Sequence, residues 1–143
     1  MPTDTPADSG IVLLDTSAAV ALLIEDHEEH VRARDALRGR RLGLAGHAWF
    51  ETFSVLTRLP GGRRRSPADA HRLLAHNFPA SVYLAETEAA RLGRELAGLS
   101  AAGGAVYDAL VGASARQHGL PLVSHDARAK SIYEALGVMV EAV

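Results

Sequence analysis

The residues alone predict an α/β fold, a three-layer α/β/α sandwich around a mostly parallel central sheet. Three observations predict it. The first is that "IVLL" (11–14) and "LPLV" (120–123) are apolar without interruption. A half-exposed strand would alternate apolar and polar, so these runs read as strands buried on both faces. The second is that strand-like runs alternate with helix-forming stretches along the chain, the order that places helices on both sides of a parallel sheet. The third is that both runs deliver an aspartate, Asp15 and Asp126. In open parallel sheets, sites form outside the carboxyl ends of the strands.

Taken in order, residues 1–10, "MPTDTPADSG", predict a frayed terminus, leaving 11–143 as a single domain. Ile11 to Leu14 form the first strand. "SAAVALLIED" predicts a helix, and so does "HEEHVRARDALRGR", whose Val31, Ala33 and Leu37 offer a narrow apolar stripe among charges. "RLGLAG" (41–46) reads as a second strand. In "HAWFETFSVLTRL" (47–59), Trp49, Phe53 and Leu56 recur at spacings of three and four, the helical repeat. "PGGRRRSP" (60–67) is a loop that ends with Ser66 as N-cap and Pro67 at the first helical position of "ADAHRLLAHNF". "SVYLAE" (81–86) is a candidate third strand, and Thr87 a candidate N-cap for the helix after it. "AVYDALVGASARQHG" predicts a helix stopping at Gly119. "LPLVSHD" then repeats the opening pattern, followed by the helix "ARAKSIYEALG" and a last strand in "VMVEAV".

Composition narrows the function classes. The chain has 143 residues, 48% hydrophobic and 22% charged, with a net charge of −2, so any polyanion partner must use a local basic patch instead of the global field. There is no cysteine, which excludes disulfides and thiolate metal sites and suits a reducing cytoplasm. The acidic, proline-containing start is unlike a signal peptide, and no apolar run approaches the roughly 20 residues of a membrane span. A soluble cytoplasmic domain with no membrane partner is the expectation.

Four acids sit in apolar neighbourhoods: Asp15 in "LLDTS", Glu51 in "WFETF", Asp108 in "VYDAL" and Asp126 in "VSHDA". A carboxylate among apolar neighbours is unusual unless it is paired, hydrogen-bonded or metal-bound. Gathered at one rim, the four would repel one another and raise some pKa values; a divalent cation would relieve this. Oxygen-only donors favour Mg²⁺ or Mn²⁺ over zinc, and such an ion suits phosphodiester cleavage, activating a water and screening charge on the phosphorane. Each acid also has a plainer account. Asp15 and Asp126 could cap the helices that follow them, and Glu51 and Asp108 could be solvated or paired with arginine.

The ordered set of Asp15-Thr16-Ser17 after the first strand, Glu51 in the Trp-containing helix, "VYDAL" and "LVSHDARAKSIYEALGV" resembles the PIN domain of VapC-type toxins, ribonucleases of bacterial type II toxin–antitoxin systems. The resemblance covers nearly the whole chain. It implies a PIN-like fold, with the family's acids falling on Asp15, Glu51, Asp108 and Asp126. The metal ligands would be Asp15, Asp108 and Asp126, with Glu51 binding metal or orienting the attacking water. The hydroxyls of Thr16, Ser17 and Ser124 would support the carboxylates. Ser124 departs from the family's usual Thr but keeps the hydroxyl. The resemblance further implies Mg²⁺-dependent endoribonuclease activity on structured RNA (tRNA or rRNA class), inhibition of translation, restraint by a VapB-like antitoxin, and a homodimer.

Arg63, Arg64 and Arg65 cluster in one loop and are candidates to grip RNA backbone, as are Arg128 and Lys130 beside Asp126; a solvated loop and a wet helix face are the alternatives. Aromatics are only 5% of residues, which argues against an extended base-stacking platform. The surplus apolar surface of the two helices beginning at Ser17 and His47 suits an antitoxin segment, a second copy of the chain, or simple core packing. Two rivals stand beside the nuclease. A receiver-like phosphoacceptor would need a strand-borne lysine, but the only lysine is Lys130, on a predicted helix. The other is a non-catalytic PIN-like module that binds RNA or antitoxin without cutting.

Overall fold

A computed structural model describes residues 10–143; the expected frayed terminus, apart from Gly10, lies outside the described residues. The elements run β1 (Ile11–Leu14), α1 (Thr16–Leu23), α2 (His30–Leu37), β2 (Arg41–Leu44), α3 (His47–Thr57), a short 3-10 turn (Gly61–Arg63), α4 (Pro67–Asn77), α5 (Glu86–Glu95), α6 (Ala105–His118), β3 (Leu122–Ser124), α7 (Ala127–Ala135) and β4 (Val140–Ala142). The four strands are ordered β2-β1-β3-β4 and every pair is parallel.

Period-two alternation sends successive strand residues to opposite faces, and the packing follows it. Leu13 and Leu122 face a layer of α5, α6 and α7 built around Leu92, Val111, Tyr133 and Leu136. Val12, Leu14, Leu44 and Val123 face α1, α2, α3 and α4 through Ala18, Leu37, Leu56 and Leu74. The sandwich is therefore three-layered, and β1 and β3 are buried on both faces, as their unbroken apolar runs require. Among the described residues no helix is long and apolar enough to cross a membrane.

Local signals explain the helix ends. Ser66 Oγ accepts the Asp69 N–H at 3.1 Å with Pro67 at the first helical position, and Gly119 ends α6 in the left-handed region at φ 64°.

Three expectations are corrected. Residues 81–86 form no strand. Ala80 and Val82 donate to Leu42 and Leu44 at the edge of β2, but Ser81 Oγ takes the Leu44 N–H at 2.9 Å, a bond that a ladder would give to a backbone carbonyl, so only one bridge, Ala45 to Val82, survives. Gly43 permits this close approach, since a Cβ there would overlap the Ala80 carbonyl. Thr87 is no cap: α5 begins at Glu86 with Ala85 before it. Val31 is exposed while Ala33 and Leu37 are buried, because a spacing of two places Val31 across the helix from its neighbours.

Candidate active site

Asp15 directly follows β1, an inner strand of the sheet, and is only 4% exposed. Its carboxylate is nonetheless well supplied with donors. Oδ1 accepts the Ser17 hydroxyl at 2.6 Å and the Ala18 N–H at 3.1 Å, which also caps α1. Oδ2 accepts the Tyr133 hydroxyl from α7 at 2.9 Å. Cap and site readings of Asp15 are thus compatible: one oxygen caps the helix while the other is held by a side chain from a different layer.

Asp126 is set in the same manner at the end of β3. Its Oδ1 caps α7 through the N–H groups of Arg128 and Ala129 at 2.9 and 3.4 Å. Its own N–H donates to Ser124 Oγ at 3.0 Å. Ser17 ties the two strand ends together, accepting the His125 N–H at 2.9 Å while donating to Asp15. Ser17 is therefore the hydroxyl that bonds a carboxylate. Ser124 supports Asp126 through the backbone and not through the carboxylate, and Thr16 Oγ1 is buried with no partner in hydrogen-bond geometry.

Glu51 comes from the second turn of α3 and Asp108 from the first turn of α6. Burial pushes the Glu51 carboxyl above its ordinary range; the Asp15 charge pushes the same way, while His47 and a weak polar contact from Thr16 pull it down. The Asp108 carboxyl is also raised, first by burial and then by the charges of Asp126, Asp15 and Glu51, with Arg128 opposing. Asp108 thus feels the other three acids together. Burial and the neighbouring Asp15 likewise push the Tyr133 hydroxyl far up, so it remains a donor at any physiological pH.

A cavity of about 440 Å³ opens at this rim, lined by Ala102, Gly104, Ala105, Asp108, Asp126 and Arg128. Arg128 is almost fully exposed, its Nε 3.9 Å from Asp126 Oδ1. Lys130 pairs instead with Glu134 at 3.7 Å. Arg63 pairs with Asp26, and Arg64 bonds the Leu59 carbonyl, so the polar partners of this loop lie outside the acid cluster. Arg63 and Arg65 line a separate groove of about 390 Å³ with Leu23, Leu56 and Leu73.

Does a hard cation fit? The donors are all oxygen, and the carboxyls of Glu51 and Asp108 are held above their ordinary range by burial first and by neighbouring acids second. Among the described residues no three acids stand close enough to cage an ion unaided. The donor chemistry alone is that of a hard cation such as Mg²⁺, which keeps several waters and takes one or two carboxylates directly.

A PIN domain profile matches residues 12–135. The chain belongs to the PIN domain family. It is 46% identical over 127 residues to Ribonuclease VapC27 of Mycobacterium tuberculosis, covering 89% of this chain and 93% of that protein. It is 44% identical over 131 residues to Ribonuclease VapC40 of the same species, covering 90% and 96%. These relatives make it a VapC-type PIN domain. Two solved structures share the fold: M. tuberculosis VapC20, described as a sarcin–ricin loop cleaving toxin (TM-score 0.67, 18% identity, 84% of this chain and 93% of that one), and FitAcB of Neisseria gonorrhoeae (TM-score 0.65, 24% identity, 90% and 95%).

Within this PIN domain, Tyr133 is the site residue that sequence reasoning missed. It lies 118 residues from Asp15, inside a run that reads as an ordinary helix face. The one signal available was a tyrosine at a position that an amphipathic pattern would bury, since a buried hydroxyl needs a partner.

Proposed function

We propose that this chain is a Mg²⁺-dependent endoribonuclease, the toxin of a VapBC-type pair, cutting structured RNA of the tRNA or rRNA class and thereby halting translation. The observation that carries this reading is a buried Asp15, held by Tyr133 and Ser17, in electrostatic contact with Asp108 and Glu51 beside Asp126. Mn²⁺ would serve the same donors.

A bound ion of this type supplies charge for the scissile phosphate and lowers the pKa of a water. Asp15, Asp108 and Asp126 are the residues that would hold it, and Tyr133 and Ser17 keep Asp15 in one rotamer for that purpose. Glu51, raised by burial, is a base closer to neutrality than an ordinary carboxylate, suited to orient the attacking water and take its proton. Arg128, exposed on the wet side of the cavity, would receive a non-bridging phosphate oxygen. Arg63, Arg64 and Arg65 would follow the RNA backbone farther away, and Lys130 would add charge without touching the reacting group.

The partner in restraint is a VapB-like antitoxin. This is supported by the fold neighbour VapBC2 of Rickettsia felis, solved bound to a DNA fragment from their promoter (TM-score 0.65, 13% identity, 92% of this chain and 98% of that one). The cytoplasm and a homodimer complete the reading.

The test is Asp15→Asn assayed on total RNA with Mg²⁺. Cleavage is expected to vanish while circular dichroism stays native; a variant cutting at the wild-type rate refutes the assignment. Calorimetric titration with Mg²⁺ separates a nuclease from a module that only binds, since the latter should show no saturable uptake. Growth arrest on expression alone, relieved by co-expressing the adjacent upstream reading frame, would establish the toxin–antitoxin relation.

A further inference from the structure

The seam between α3 and α6 carries two side-chain pairs next to each other. One is acidic: Glu51 from α3 and Asp108 from α6, coupled through their charges. The other is aromatic: the rings of His47 and Tyr107 stack with centroids 4.9 Å apart and planes 18° from parallel. The sequence interlocks the pairs, since His47 is one helical turn before Glu51 and Tyr107 immediately precedes Asp108. His47 Nε2 lies 3.7 Å from Glu51 Oε1, joining the ring pair to the acid pair.

A tyrosine in this position is not needed by the core. Tyr107 is 51% exposed, whereas the α6 positions that pack, Ala109, Val111, Ala113 and Ala115, are buried. Its ring is stiffened on one side by His47 and left open to solvent elsewhere. The cavity bounded by Ala102, Gly104, Ala105 and Asp108 is lined by the residue next to Tyr107 in the chain, and a Cβ at Gly103 or Gly104 would meet nothing within 4 Å.

Resting on the nuclease reading above, we infer that Tyr107, backed by His47, is a stacking shelf for the nucleobase adjoining the phosphate that the acids and Arg128 receive. The shared geometry suits a nucleotide: a charged group among Asp108, Asp126 and Arg128, and a planar group within reach on an aromatic face. A low aromatic content argues against an extended platform, but one base needs one ring. Stacking accepts any base, so the shelf orients the nucleotide without dictating sequence.

The experiment measures equilibrium binding of a short fluorescein-labelled, mixed-sequence oligoribonucleotide by anisotropy in Mg²⁺, on the Asp15→Asn background so that RNA stays uncut. Tyr107→Ala is expected to weaken binding about 5- to 150-fold, the equivalent of the ~1–3 kcal/mol measured for one stacked base. Tyr107→Phe should bind like its parent, and Tyr107→Leu should resemble Ala. A matching oligomer carrying abasic sites should bind the Ala and parent proteins equally. In the active background the same change should raise KM and leave kcat within about twofold. Unchanged binding by Tyr107→Ala overturns the shelf, as does an equal loss with the abasic oligomer, which would mean a backbone contact. If wild-type protein cuts no RNA in Mg²⁺ yet Tyr107→Ala still loses binding, the nuclease reading fails and the shelf stands.

Discussion

Replacing Tyr133 by phenylalanine removes one oxygen from the centre of the molecule and tests how Asp15 is held. Tyr133 is 1% exposed and packs in the α5–α6–α7 layer, so the ring of the variant keeps its contacts and no space larger than one oxygen opens. What is lost is the 2.9 Å bond to Asp15 Oδ2, leaving that buried oxygen without its donor while Ser17 and Ala18 still serve Oδ1. A hydrogen bond to a charged group is worth about 1.5–3 kcal/mol, and the lone carboxylate oxygen now carries the desolvation cost. For a domain of this size a loss of that order lowers Tm by roughly 3–12 °C. The same change leaves Asp15 held through Oδ1 alone, and loss of such an outer partner costs about 10- to 100-fold in metal affinity. Differential scanning fluorimetry and Mg²⁺ calorimetry read the two effects separately, with Tyr83→Phe, at an exposed position, as the control. If Tyr133→Phe melts at the wild-type temperature and binds Mg²⁺ with the wild-type midpoint, Tyr133 does not hold Asp15 and the supporting role assigned to it is wrong.

The raised carboxyls of Glu51 and Asp108 predict a pH dependence in the metal-free protein. Because folding raises both, the folded state binds more protons than the unfolded one between the ordinary and the raised values, so stability falls as pH rises through that window and is lowest above it. Metal-free Tm should therefore climb on acidification from neutrality until the arginine-paired Glu95 and Glu141, whose carboxyls are lowered, begin to protonate; Asp108→Asn should flatten the climb, and an unchanged slope would contradict it. Adding Mg²⁺ at neutral pH should raise Tm in a saturable manner following RT ln(1 + [L]/Kd), and Asp15→Asn should lose most of that gain in the same titration. Gly43→Ala drives a methyl group into the Ala80 carbonyl. It should cost about 1–3 kcal/mol by urea denaturation, against little change for Gly62→Ala, where nothing lies within reach.

Much of the fold was legible because its strongest signals are local. The runs at 11–14 and 120–123 are apolar on both faces because α1 to α4 cover one side and α5 to α7 the other, and the Ser66–Pro67 pair and Gly119 announce helix ends through chemistry confined to a few residues. Segment 81–86 misled because strand propensity says nothing about which atom satisfies a neighbouring N–H, and there the hydroxyl of Ser81 does so. The four acids could be singled out by their apolar surroundings, yet the division of labour among the hydroxyls could not. Which of Thr16, Ser17 and Ser124 meets a carboxylate depends on rotamers at a strand-to-helix junction. Tyr133 was hidden for a different reason: its partner is distant in the chain, and a tyrosine in an amphipathic helix looks the same whether its hydroxyl meets water or an aspartate.

The strand order β2-β1-β3-β4 has a consequence for biosynthesis. Asp15 is among the first described residues to leave the ribosome, but β3, one of the two neighbours of β1 in the sheet, and the companions Asp108, Asp126 and Tyr133 emerge much later. A nascent or prematurely terminated polypeptide therefore carries an orphaned aspartate and an unfilled central slot. A product that stops before residue 108 lacks Asp108, Asp126 and Tyr133 together, and with them most of the acid cluster around Asp15.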